Sequence, residues 1–516
     1  MPRSLTGLLI CLVLGCIVAT CVCGRRSGGS ANSQESSVPP LPRDTLPVIS
    51  PDGKHYSYVA TVDGKQVVVM DGRVGEPYAE VKAQWERHGW EGPPTFRPGI
   101  QFSATGGHFA YAARIRGKWA MVVDGHLGDP YDDLDMAVFN RDGTRVAYPA
   151  KKGEVWEVVC DGTEGKAYER IMASSGIYAM FSPDGSRLAY VGVNQESPSM
   201  ARWLHYVVVD GKEGQPCFHL WEVLFSPDSQ HVAYAGERDY DQQWVLVRDG
   251  QASRPYKLIR SVTFSSDSSR LAFAAEDKRG HFMVVDDSAE PVYERVSQPV
   301  FSPDSRRFAY VARTAEKEFL VVDGVPAETR FDQVLAPRFS PDSRRVAHKG
   351  REGEKWYMVI DSQGGPQFQD LWTVVFSPDS LRVAYRGSSQ DGARVVVDGE
   401  HGPLYKAWLS SPVFSADSRR VAYSVRLHEG GGFVVLDGQE GKQYARVSGA
   451  GPVFDPAGSH LLYKAMDSGR EFIVLDATEN KPHDRVVGDV FFDAPDVYAY
   501  FAIDGGEIRR VTETLQ

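Results

Sequence analysis

Tryptophan and arginine fall together at two places in this chain. Residues 83–99 carry Trp85, Arg87, His88 and Trp90, and further on Arg202 and Trp203 stand side by side. Both residue types offer a broad contact surface with a polar handle, which makes them frequent anchors of interfaces. The same side chains can instead fasten a long loop to its own domain. No reaction signature accompanies them: there is no G-x-S-x-G elbow, P-loop, H-E-x-x-H or paired C-x-x-C. No catalytic residue or metal ligand is therefore assigned, and no cofactor is expected. Asp132-Asp133-Leu134-Asp135 has oxygens of the kind Ca²⁺ accepts, but without the further ligand spacing it reads as solvated charge.

A second set of residues recurs through the chain. An Arg or His stands at His55, His108, Arg145, Arg187, His231, Arg270, Arg307, Arg345, Arg382, Arg420 and His460. Turn aspartates such as Asp184, Asp228, Asp304 and Asp342 recur just before it, and a charge-assisted Arg–carboxylate pair is expected to organise the turn rather than to bind a ligand. Cys160 and Cys217 are expected as free, buried thiols.

The elements that carry these residues repeat about a dozen times. In residues 299–324 a short strand, Val300-Phe301-Ser302, runs into the turn formers Pro303-Asp304-Ser305. A second strand alternates through Phe308-Ala309-Tyr310, and a third, Phe319-Leu320-Val321-Val322, ends in Asp323-Gly324, a hairpin dipeptide. A weaker fourth strand carries an aromatic, here Phe331. The first aromatic recurs at Phe102, Phe139, Phe181, Phe225, Phe264, Phe301, Phe339, Phe376, Phe414, Phe454 and Phe492, with Ile49 in the first copy. Four antiparallel strands in so short a unit are the size of a propeller blade.

F-S-P-D-S-x-R-x-A-Y resembles the WD40-like, TolB-type propeller repeat over residues 46–512. That resemblance implies an all-β propeller and no particular activity. TolB's accompanying α/β domain has no counterpart among the repeats, so TolB's role is not carried over. Similar repeats form the propellers of prolyl-oligopeptidase-type peptidases, but no hydrolase domain is found here. Twelve blades exceed the usual four to eight, so two six-bladed rings in tandem are expected, with a tentative division into 46–262 and 263–516. Seven plus five blades, or one large ring, are the alternatives. The final copy shows only three strands, and a fourth is expected from residues 41–46.

The interval from first aromatic to third-strand Asp is 22 residues in eight copies, but 29 from Phe181 to Asp210 and 24 from Phe225 to Asp249. From that Asp to the next aromatic it is 31 after Asp71 and 20 after Asp161. Assigned to the loops joining strands two to three and four to one, these insertions fall on one face, which becomes the expected ligand face. Trp85, Arg87, His88, Trp90, Arg202 and Trp203 are its candidate binding residues.

The N-terminus differs in kind. A basic start is followed by an apolar run over residues 5–22 that reads as an export signal. Leu12-Val13-Leu14-Gly15-Cys16 resembles a lipoprotein lipobox, with Cys16 the lipidation candidate; a plain cleaved signal and a membrane anchor are the alternatives. Residues 24–45, rich in Gly, Ser and Pro, read as a flexible tether. A net charge of −11 without Lys/Arg clusters disfavours nucleic acid. The expectation is an exported, membrane-tethered, non-catalytic propeller of the bacterial envelope that binds a protein or glycan. The alternative is an exported lyase or hydrolase acting on an extracellular polymer at a ring centre.

Overall fold

The structure, a computed structural model, describes residues 38–42, 45–82, 84–87, 95–172, 179–197, 200–238, 243–335, 337–372 and 374–515. Among them there is no helix. Strands assemble into twelve antiparallel sheets plus one two-stranded ribbon, Gln84–Arg87 with Thr95–Pro98. The chain is a β-propeller of twelve blades.

Blade 7 shows how one copy folds. Its second strand, Phe308–Thr314, is buried on both faces because each face meets a neighbouring blade, and Tyr310 is wholly enclosed. The third strand, Lys317–Val322, pairs with it through Ala309↔Val322, and the outer strand starts at Val325–Pro326. Asp323 and Gly324 have φ of 52° and 77°, the left-handed pair of a type I′ hairpin turn, whose twist matches the flanking strands. The cores lie between blades. Met283 and Val285 of blade 6 interleave with Phe308 and Tyr310 of blade 7, as Leu462 and Ile473 of blade 11 do with Tyr498 and Tyr500 of blade 12.

Packing runs from each blade to the next without a break, and the last blade meets the first. Val487, Phe501 and Ile503 pack with Ile49 and Tyr56, the Tyr56 and Phe501 rings lie 5.8 Å apart edge to face, and Arg510 Nε donates to Gly53 O at 2.6 Å. The chain therefore closes as one ring of twelve, the alternative left open above, in place of the expected two six-bladed rings. The tentative boundary at 262/263 falls inside the inner strand Leu258–Phe264.

Closure also differs from expectation. The last sheet has three strands, Arg485–Ala494, Val497–Asp504 and Glu507–Thr514, and no described N-terminal residue adds a fourth. Leu41 instead packs as a side chain against Tyr58, Val67 and Ile508. Proline at positions 39, 40 and 42 removes the donors an added strand would need.

Most inner strands are split in two or shift register part-way. In blade 7 Val296 faces Ala312 and Val300 faces Ala309, so three residues stand opposite two, a bulge that turns the edge toward the central channel. This explains where two insertions sit. In blade 2 Val81 faces Ala113 and Gln101 faces Ala110; in blade 4 Met172 faces Val191 and Ala179 faces Tyr190. Residues 82–100 and 173–178 therefore interrupt inner strands, and do not lengthen the outer-to-inner crossings as expected. Those crossings are short: Tyr78 bridges to Gln66, and Glu80 already belongs to the next blade.

Candidate functional site

The recurring Arg or His pairs with the third-strand aspartate, not with the turn aspartate beside it. In blade 7 Arg307 Nε donates to Asp323 Oδ2 at 2.9 Å, while Asp323 Oδ1 accepts the Phe308 N–H at 2.9 Å. Pairs of the same kind run from His55–Asp71 at 2.6 Å to His460–Asp476 at 2.5 Å. One further guanidinium nitrogen reaches the next blade: Arg307 Nη1 donates to Arg344 O at 2.9 Å, and the guanidinium lies over Phe339. The turn aspartate has other partners. Ser302 Oγ donates to Asp304 Oδ1 at 2.6 Å, and the Asp304 N–H donates to Ser343 Oγ of blade 8 at 2.9 Å. Hydrogen bonds from Ser302 and the Arg306 N–H hold the Asp304 carboxyl below its ordinary range. These residues fasten blade to blade and are saturated by doing so.

The other end of each blade is where the ring departs from repetition, most fully at blades 4 and 5. The hairpin of blade 4 is lengthened to Leu188–Ser197 and Met200–Val209, which places Arg202 and Trp203 on adjacent, opposite-facing positions. Trp203 is turned inward: the Arg170 guanidinium covers its ring at 4.2 Å, and it packs on the core between the two blades. It fastens the hairpin. Arg202 is exposed, with its guanidinium 5.7 Å from the Phe218 ring.

From Phe218 the site continues into blade 5. The Phe218 N–H donates to Glu237 O, and next to it His219 Nδ1 meets Glu237 Oε2 at 2.5 Å. Glu237 is buried and His219 exposed, so Nε2 is available at the surface of a His–carboxylate pair. Arg238 follows, and beside it lies a cleft of about 530 Å³ lined by Gln215, Pro216, Arg238, Gln243, Val245 and Ser253. No ion pair engages Arg238 among the described residues. The cleft thus offers a guanidinium and amide groups, with the His219 imidazole on the strand beside Glu237, which suits recognition of carboxylates, hydroxyls and peptide groups. Phe218, His219, Glu237 and Arg238 were missed in the sequence because their significance comes from the crossing between blades, which no local motif marks.

The other candidates separate. Trp85 and Arg87 lie on the ribbon that rises from the inner strand of blade 2, opposite Arg97 and Thr95 respectively. His88, Trp90 and Cys16 lie outside the described residues. Asp132 accepts the Gly153 N–H and pairs with Lys118, and Asp133 pairs with Lys82, so these carboxylates serve the fold. Among the described residues no group of three or more His, Cys, Asp or Glu side chains could hold a metal ion. Cys160 and Cys217 are free; Cys217 is buried and Cys160 half-buried, and burial pushes both thiols up to about 11.

No protein-family model matches the sequence, and no curated protein matches it. Solved structures resemble parts of this one. A eukaryotic initiation factor aligns at 12% identity over 67% of this chain and 94% of its own, with a TM-score of 0.35. The propeller domain of the Trilobed protease from Pyrococcus furiosus aligns at 14% over 50% and 92%, with a TM-score of 0.26. TolB from Acinetobacter baumannii aligns at 14% over 54% and 80%, with a TM-score of 0.22. With identities of 12–14% and TM-scores below 0.5, these likenesses carry no argument about what this chain does.

Proposed function

We propose that this protein is an exported, membrane-tethered binding propeller whose blade 4–5 surface receives a protein or glycan partner. The observation that carries the reading is the cleft beside Arg238, built where the ring breaks its own repeat. Variable elements on a rigid scaffold are where recognition is usually placed. The apolar N-terminal run and Cys16 support the tether.

The test uses the protein immobilised against envelope extract and a glycan array. A ligand retained by the parent is expected to bind at least tenfold more weakly to Arg238→Ala and to a variant whose blade 4 hairpin is cut to the common length. Unchanged retention by both variants would sink the reading. Tethering is tested separately: acyl labelling is expected in the parent and lost in Cys16→Ser.

The His219–Glu237 pair supports a second reading, an exported enzyme using Nε2 as a general base. Turnover of an envelope polymer that disappears in His219→Gln while Arg238→Ala retains it would favour that reading over pure binding.

A further inference from the structure

At one register of the second strand, four residues past the recurring Arg or His, most blades place a small or apolar residue: Val59, Ala112, Pro149, Val191, Ala235, Ala274 and Val311. Blades 8, 9 and 11 place Lys349, Arg386 and Lys464 there. Blade 8 also carries Arg338 just before its inner-strand aromatic, where Val138, Val300, Val375 and Val413 stand in other blades.

Three of these cations converge on the inner strand of blade 9. Lys349 Nζ donates to Leu371 O at 3.0 Å, Arg338 Nη1 donates to Val374 O at 3.0 Å, and the Arg386 guanidinium lies 4.2 Å from the centre of the half-buried Trp372 ring. The segment lies in the bulge between the pairs Leu371↔Gly387 and Val375↔Ala384, the part of the edge turned to the channel.

Elsewhere in the ring the same arrangement is neutralised. Lys82 reaches the matching carbonyl, Leu134 O, and pairs with Asp133 at 3.2 Å; Lys464 reaches Val486 O with Glu471 at 4.0 Å. Among the described residues no ion pair engages Arg338, Lys349 or Arg386. Asp370, the counterpart of Asp133, accepts the Leu371 N–H at 2.9 Å and acts on Lys349 and Arg386 only through its charge, without an ion pair to either. Arg386 Nε is buried without an acceptor, and burial holds both Lys349 and Arg386 below their ordinary values. Half-buried cations outside an ion pair are costly even with the Asp370 charge nearby, and an oxyanion ligand in direct contact offsets more of that cost.

We propose that Arg338, Lys349 and Arg386 form an oxyanion-binding site on the channel wall at blades 8 and 9, which takes the carboxylate or phosphate group of a ligand. The half-exposed Trp372 ring gives such a ligand an apolar surface beside the charge. The site is distinct from the blade 4–5 surface, so either can fail without the other.

The test is a titration of tryptophan fluorescence at constant ionic strength, with inorganic phosphate in one arm and tri-galacturonate in the other. Saturable quenching in either arm, weakened at least tenfold in Lys349→Met/Arg386→Met and unchanged in Lys464→Met, is the expected result. Saturation by phosphate alone assigns a phosphate group to the site, and saturation by tri-galacturonate alone assigns an acidic saccharide. Absence of saturation in both arms overturns the proposal, as does equal weakening by Lys464→Met. The thermal midpoint of each variant shows whether lost binding reflects lost folding.

Discussion

The two ends of each blade are built on opposite terms. At the turn between the first two strands, Arg or His, the third-strand Asp and the turn Ser and Asp recur around the ring with nearly constant geometry: Arg Nε holds the Asp of its own blade, and Arg Nη1 reaches carbonyls of the next. At the other end, lengthened hairpins, a cleft and cations outside ion pairs appear blade by blade. A twelve-bladed ring accumulates any error in the angle between blades, so the repeated end must fix that angle. Freedom to vary is left to the end that does not. Charge on the first end is taken up in holding blades, and charge on the second is left less engaged.

Breaking that distinction should be easiest at Arg307, which joins an ion pair to Asp323, two carbonyl contacts in blade 8 and the face of Phe339. Arg307→Ala is expected to cost about 3 kcal/mol, because several charge-assisted hydrogen bonds go at once. Arg202→Ala, on the variable end, should change stability by no more than about 0.5 kcal/mol. Urea unfolding followed by circular dichroism measures both, and equal losses would erase the contrast.

A smaller break is available at the turn serine. Ser305 sits at φ 63° with its Oγ accepting the Asp267 N–H of blade 6 at 3.0 Å. Ser305→Ala keeps the strained backbone and removes the acceptor, for an expected loss of about 2 kcal/mol. Ser305→Gly relieves the strain and should lose less. Gly53, Gly106, Gly143, Gly185 and Gly458 occupy this position in other blades, all at positive φ. Thermal midpoints of the two variants should therefore rank alanine below glycine, and the reverse order would show that relief of backbone strain is outweighed by the greater freedom of glycine in the unfolded chain.

Acid separates the repeated latch from a local exception. His348 stands where most blades have Tyr, is buried, and is pushed down to about 4 by burial. The unfolded chain takes up its proton near 6.5 while the native state does not, so stability falls as pH drops from about 6.5 toward 4. The depressed turn aspartates act lower. Their contribution is present above the ordinary aspartate value and is lost only as pH falls below about 4. His348→Tyr should remove a loss of about 1–2 kcal/mol between pH 7 and pH 5 and leave the lower limb in place. Urea midpoints at the two pH values check this, and an unchanged difference in the variant would exclude His348 as its source.

The blade was legible in the chain because its signals are local: alternation in Phe308-Ala309-Tyr310, the Asp323-Gly324 turn, and a near-constant interval between aromatic and aspartate. Ring number was not, since one ring of twelve and two of six share every local signal and differ only in whether Phe501 meets Tyr56. The partner of Arg307 was misplaced for a related reason. Asp304 is nearer in sequence, but the hairpin brings Asp323 beside it across the sheet. Of the candidate site, Arg202 and Trp203 were visible as types, yet their opposite fates follow from strand alternation, and Phe218, His219 and Arg238 become neighbours only through the crossing between blades.

The smallest expected effect probes the repeated end from the opposite direction, by improving it. The hairpin turn after the third strand needs two left-handed residues, and glycine fills the second position in most blades, but Asp287, Ser362 and Ala477 adopt φ of 64°, 69° and 79°. A β-carbon in that region meets the following carbonyl, at a cost of roughly 1 kcal/mol. Aspartate and serine can recover part of it through local hydrogen bonds, whereas alanine has none to offer. Ala477→Gly should therefore stabilise the protein by up to about 1 kcal/mol, with a smaller gain for Ser362→Gly and the least for Asp287→Gly. That order, read from thermal midpoints, ties the gain to backbone strain; equal gains at all three sites would show that the Asp and Ser side chains recover none of it, and losses would show that the added freedom of the unfolded chain outweighs it.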